Sequence, residues 1–190
     1  RTVNSRNPTP IFVHASTPSY QGSHIDGFHE AVVATVMAFA EVATEAPKGE
    51  HINIFPGFVS PEDLRHLKDI LKDFGMDYVL FPDYSDSLDN PHWKDYQLIP
   101  DGGTSGEDLM RTTHAKASLE FGYVLNQGNL SGRVKSNKTV LTAGEWLENN
   151  HNVPYRTMGM PIGINETDKF FKALEELSGM ETPERYTRER

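Results

Sequence analysis

Apolar positions in this chain follow two patterns that alternate along its length. Short, nearly continuous apolar runs occur at Ile11–His14, Ile52–Phe55, Tyr78–Phe81, around Ala115–Phe121 and at Val153–Met158. Runs this short without polar alternation predict strands buried on both faces, as in a parallel sheet. Between them the period becomes helical. Phe28, Val32, Val36, Phe39 and Ala43 predict a helix from near Ile25 to about Thr44, ended by Pro47, Lys48 and Gly49. Ser60-Pro61-Glu62-Asp63 predicts a helix start, with a hydroxyl cap, proline in the first position and acids in the first turn. Leu64, Leu67, Leu71 and Phe74 are its buried stripe, and Gly75 its stop. Ser105 is expected to cap a short helix, and another helix crosses Ala143–Asn149. A last one runs from a cap at Asn165 through Phe170, Phe171, Leu174 and Leu177 to Gly179.

Strands alternating with helices predict an α/β, Rossmann-like three-layer domain: a mostly parallel sheet of about five strands flanked by helices. Residues 1–10 read as an entering arm, 11–180 as the domain and the charged stretch 181–190 as a tail leaving it. The segment 82–103 is irregular, and 126–137, rich in Asn, Gly and Ser, reads as an exposed loop. Open α/β sheets hold ligands at the carboxyl ends of their strands. That directs attention to the loop Thr17–His24, between the first predicted strand and the first helix.

Composition narrows the choice. A chain of 190 residues, 37% hydrophobic and 24% charged, suits one ordinary globular domain. The formal charge of -9, with no basic run, argues against nucleic acid as a partner. No apolar stretch approaches a membrane span and no signal peptide is visible. A cytoplasmic location is therefore expected, and the glycosylation-like triplets at Asn129, Asn137 and Asn165 read as chance. Cysteine is absent, which removes thiolate nucleophiles and the usual ligands of iron–sulfur clusters. The chain opens on Arg1, as expected of a segment cut from a longer protein.

The residues alone suggest little chemistry. His24 and His29, five apart, would point apart on a helix, and His14 reads as a satisfied buried histidine. Asp83, Asp86 and Asp89 lack the spacing and glycine of a calcium loop and read as a solvated acidic loop. Gly102-Gly103-Thr104-Ser105-Gly106 reads as a helix-start turn, with phosphate binding by its N–H groups the weaker alternative. Glu41 and Glu45 read as part of a solvated face, and no Ser/His/Asp set stands out. Ser19, by itself, is a turn or cap residue. A hydroxyl ligates metal strongly only as an alkoxide, which needs a large local positive charge such as an oxidised cluster.

The run Thr17-Pro18-Ser19-Tyr20-Gln21-Gly22-Ser23-His24-Ile25-Asp26-Gly27-Phe28 resembles the nitrogenase molybdenum–iron protein beta-chain family. The resemblance continues through Ile52–Phe58, Gly102-Gly103-Thr104 with Glu107-Asp108-Leu109, and Pro161–Ile164 with Thr167-Asp168. It ends at Glu189-Arg190, where the chain is cut. The resemblance implies a middle domain of an oxidoreductase subunit. In that family the serine matching Ser19 lies beside the P-cluster, an iron–sulfur cluster at the alpha–beta interface, and binds an iron when the cluster is oxidised. It implies partnership with the alpha chain and with the iron protein, the nitrogenase reductase that supplies electrons. The family's cysteine ligands precede this region, so the fragment itself is expected to be inactive, to hold no cluster and to be able to self-associate. The stretch Ser85–Asn90 is also similar to beta-like subunits of the cofactor-assembly scaffold, which stays open as an alternative. A Rossmann-like nucleotide or anion module is a further one.

Overall fold

The computed structural model describes residues 10–17, 23–89, 102–122 and 141–188. Helix α1 (His24–Ala40) leads into β1 (Ile52–Phe55), α2 (Pro61–Asp73) and β2 (Tyr78–Leu80). Then come α3 (Gly106–Arg111), a 3-10 turn over Thr112–His114 and β3 (Ala117–Phe121). The chain continues with α4 (Ala143–His151), β4 (Tyr155–Met158), α5 (Ile164–Ser178) and the short α6 (Glu184–Arg188). The strands form one sheet in the order β2-β1-β3-β4, every pair parallel. All of β1 and β3 is buried between two helical layers, their polar Asn53, Ser118 and Glu120 included. The predicted α/β architecture is present, with four strands among the described residues in place of the five expected.

The missing strand is the first. Residues 10–17 carry no regular secondary structure and pair with no strand among the described residues, and Ile11, Phe12 and Val13 are exposed, Phe12 by 84%. Three adjacent apolar residues indicate that both faces want cover. They cannot indicate where that cover lies, and Phe12 in particular is left largely uncovered here. His14 is accordingly exposed rather than buried.

Each helix boundary has a local cause. Ser60 caps α2 as predicted, and the cap is reciprocal: Asp63 N–H donates to Ser60 Oγ at 3.2 Å and Ser60 N–H donates to Asp63 Oδ2 at 3.0 Å. The same Ser-x-x-Asp device starts α1, where Ser23 accepts from Asp26 N–H at 3.3 Å and donates its own N–H at 2.6 Å. Helix α1 stops at Ala40, short of the predicted Thr44, with Glu41 as its C-terminal cap; Glu41 and Glu45 are both exposed. Gly163, at φ +75°, precedes α5, so Asn165 lies inside the first turn rather than at the cap. The 181–190 stretch does not simply leave the domain. Its α6 seats Tyr186 in the core, with the hydroxyl donating to Asp73 at 2.7 Å.

Two cores result, one on each face of the sheet. Helices α2 and α5 cover one face, packing Leu64, Leu67, Leu71, Phe170 and Leu174 on Ile52, Ile54, Leu119 and Phe121. Helices α1 and α4 cover the other, packing Val32, Val33, Val36 and Leu147 on Phe55.

Candidate functional site

The helices that follow β1 and β3, α2 and α4, lie on opposite faces of the sheet. The carboxyl ends of β1 and β3 therefore flank a topological switch point, where open α/β sheets form their ligand crevices. Two loops meet there closely: a Cβ on Gly57, at φ +73°, would stand 3.4 Å from the carbonyl oxygen of Phe121. The first turns of α1 reach the same edge. Phe28 packs edge-on against Phe58 at 5.6 Å between centroids, and His24 does so at 6.3 Å. Phe58 is 63% exposed.

Both flanks of the loop singled out in the sequence are at this place. Ser23 caps α1, and Thr17 lies 3.8 Å from where a Cβ on Gly27 would be. Ser19 itself lies outside the described residues. With residues 11–14 outside the sheet, the expected strand end before Ser19 is not found, and a role for that serine rests on the family resemblance. His24 is exposed and His29 buried, so the two point apart as their spacing requires. Burial holds the His29 imidazole down at about 4, against a smaller opposing effect of Asp26.

On the α2 and α5 side the edge encloses a cavity of about 270 Å³ lined by Pro56, Val59, Leu67, Phe121, Met160 and Phe170 among others. On the α1 and α4 side the buried surface of the sheet is polar instead. Asn53 donates to the Thr112 carbonyl at 2.9 Å and to Ser118 Oγ at 3.1 Å. Glu120, fully buried, reaches the N-terminus of α4, where Gly144 N–H donates to its Oε2 at 3.3 Å. Burial pushes its carboxyl up to about 7, although the bonds from Thr142, Gly144 and Ala143 oppose the shift. Sequence reasoning passed over Glu120. The available signal was one acid inside a segment expected to be a buried strand.

The acidic loop after β2 is solvated at Asp86 and Asp89, as read, but the Asp83 side chain is buried and the loop is tied to α2. Lys68 lies 2.7 Å from Asp83, whose side chain is 7% exposed, and Arg65 pairs with both oxygens of Asp89 at 3.0 and 2.6 Å. Burial alone would raise Asp83, but the bonds from Lys68 and Ser85 outweigh it and lower its pKa. The glycine turn is a helix start, as read. Ser105 accepts from Asp108 N–H at 3.0 Å, and α3 carries Glu107 and Asp108 in its only full turn, which disfavours an added anion.

The chain is thus a parallel α/β domain whose notable features gather at one carboxyl edge. The family model for nitrogenase component 1 type oxidoreductases matches residues 1–190, and the chain belongs to that family. It is 36% identical over 181 residues to the nitrogenase molybdenum-iron protein beta chain of Clostridium pasteurianum, covering 95% of this chain and 36% of that one. The Nostoc nitrogenase iron-molybdenum cofactor biosynthesis protein NifN is 28% identical, covering all of this chain and 40% of the relative. The solved structure "Nitrogenase Cp1 at pH 6.5" superposes with a TM-score of 0.77 at 34% identity, over 93% of this chain and 35% of that one. The chain therefore spans little more than a third of the relatives it matches.

Relatives named for molybdenum and iron raise the question of a metal site in this chain. The described residues do not form one by themselves. The chain has no cysteine, and among the described residues no three His, Asp or Glu side chains are grouped to hold a metal ion. Among the same residues no helix is long and apolar enough to cross a membrane.

Proposed function

We propose that this chain is the middle domain of a nitrogenase molybdenum–iron protein beta chain and forms part of the wall beside the P-cluster. The observation that carries the reading is its 36% identity to a beta chain along 95% of its length. In this reading the parent is a cytoplasmic subunit. It pairs with an alpha chain, receives electrons from the iron protein and passes them on for ATP-dependent reduction of dinitrogen to ammonia. The domain supplies the loop 18–22, with Ser19 as a ligand of the oxidised cluster, and cysteines outside this segment supply the rest. By itself the domain is inactive.

The placement of Thr17 and Ser23 at the exposed aromatic edge of His24, Phe28 and Phe58 supports this reading, because an edge with Phe58 uncovered suits burial against a partner. The test is Ser19→Ala in the intact parent. Folding and assembly are expected to survive, while the redox titration and spectrum of the oxidised cluster change. An unchanged titration and spectrum would remove Ser19 from the ligand set.

The second reading, a beta-like subunit of the cofactor-assembly scaffold, is favoured by the likeness to NifN along the whole chain. The cysteines in the flanking sequence of the parent separate the two. A scaffold subunit would carry a simpler cluster and would reduce no dinitrogen when paired with the iron protein.

A further inference from the structure

We propose that Glu120 is a proton-binding latch on the fold: the domain holds this acid neutral beneath the first turn of α4, and ionising it destabilises the folded state. The site is built around the carboxyl group. Glu120 has no exposed surface, and neither does Thr142, the cap of α4. Oxygen Oε2 accepts from Gly144 N–H at 3.3 Å, and Thr142 and Ala143 bond the same carboxyl. A side chain at position 144 would prevent this, since its Cβ would stand 2.9 Å from Oε2 and 3.0 Å from the Tyr155 ring. Among the described residues the other oxygen, Oε1, is buried without a hydrogen-bond partner. An ionised carboxylate with one oxygen stripped of both water and partners is strongly disfavoured, whereas the neutral acid leaves far less charge unsolvated.

The groups facing the carboxyl settle its charge. From α4 come Thr142, the Ala143 and Gly144 N–H groups, and Glu145, whose negative charge further opposes ionisation. Across the sheet its register partners are Phe55 on β1 and Thr157 on β4, and Tyr155 closes over Gly144. Among the described residues no cation pairs with it. The positive end of α4 favours the anion, but by less than burial costs it. The balance leaves the proton on up to about pH 7, against an ordinary value of 4.5.

A raised folded-state pKa sets the sign. The stabilisation is complete below about pH 4.5 and is lost as pH rises through about 7. Urea unfolding of the 190-residue chain at a series of pH values, as wild type and as Glu120→Gln, reads this directly. Between pH 5 and 8.5 the folding constant of the wild type is expected to fall on the order of 100-fold relative to the variant. Parallel profiles would overturn the latch. Should the variant fail to fold, a carbon NMR titration of the wild type decides. One glutamate carboxyl carbon should titrate near pH 7 together with the amides of Ala143 and Gly144. Titration of every glutamate below about pH 5 would overturn the proposal equally.

Discussion

The two faces of this sheet are made differently. Towards α2, α5 and α6 the core is a continuous apolar and aromatic layer, with Phe74 stacked on Phe171 and Phe121 edge-on to Phe170. Towards α1, α3 and α4 a smaller apolar cluster surrounds buried polar groups: His29, Asn53, Thr112, Ser118, Glu120 and Thr142. Apolar burial is nearly indifferent to pH, whereas a buried titratable group links folding to proton concentration. The first face should therefore set how stable the domain is. The second should set how that stability varies with pH.

The largest expected effect lies on the apolar face. Phe170 is 1% exposed and packs 5.4 Å from Phe121 and 5.9 Å from Phe171. Phe170→Ala removes the ring from a site framed by two helices and the sheet, which leaves a cavity costing about 3–5 kcal/mol. That is a large share of the roughly 5–15 kcal/mol available to a domain. Denaturant unfolding should show the same loss at pH 5 and at pH 8. A loss that changed with pH would break the division between the faces.

The acid side of the profile belongs to the polar face. His29 is buried on α1 beside Phe28 and is held neutral down to about pH 4. Its folded pKa lies below the unfolded 6.5, so the unfolded chain takes up the proton first. Stability is then lost as pH falls from 6.5 towards 4, by at most about 3 kcal/mol. His51 and His151, also lowered by burial, add to the same limb. His29→Leu should flatten part of the acid limb and leave the alkaline limb to Glu120. If wild type and variant differ by a constant amount at every pH, His29 does not titrate on unfolding.

Most of the frame was legible from the sequence because its causes are local. Ser60-Pro61 begins a helix wherever it occurs before an apolar stripe, and Gly75 and Gly179 adopt positive φ where helices end. What escaped was decided at a distance. The Ile11–Val13 run carries the composition of a buried strand, but it joins no sheet among the described residues and leaves Phe12 exposed. Asp83 and Asp89 acquire their partners from Lys68 and Arg65, one turn apart on the preceding helix, across a spacing no local pattern encodes. Glu120 becomes buried only because the first turn of α4 arrives over it. The candidate site was half legible. The loop Thr17–His24 was expected at the carboxyl edge because a strand should precede it; that strand is not found among the described residues, and its flank Ser23 is placed instead by the cap that begins α1.

The smallest effect sharpens the comparison by being the same on both faces. Helices α1 and α2 open with the same reciprocal pair, Ser23 with Asp26 and Ser60 with Asp63, and both lie at exposed ends rather than in either core. Replacing either serine by alanine leaves one N–H of the first turn to water and removes the acceptor that fixes the turn, a cost of about 1 kcal/mol. Ser23→Ala and Ser60→Ala should therefore lower the urea midpoint by similar amounts near neutral pH, with no change in slope. A markedly larger loss for Ser23→Ala would mean that the start of α1 carries load beyond capping. The aromatic contacts of His24 and Phe28 with Phe58 would be the place to look for it, since they join that turn to the loop after β1.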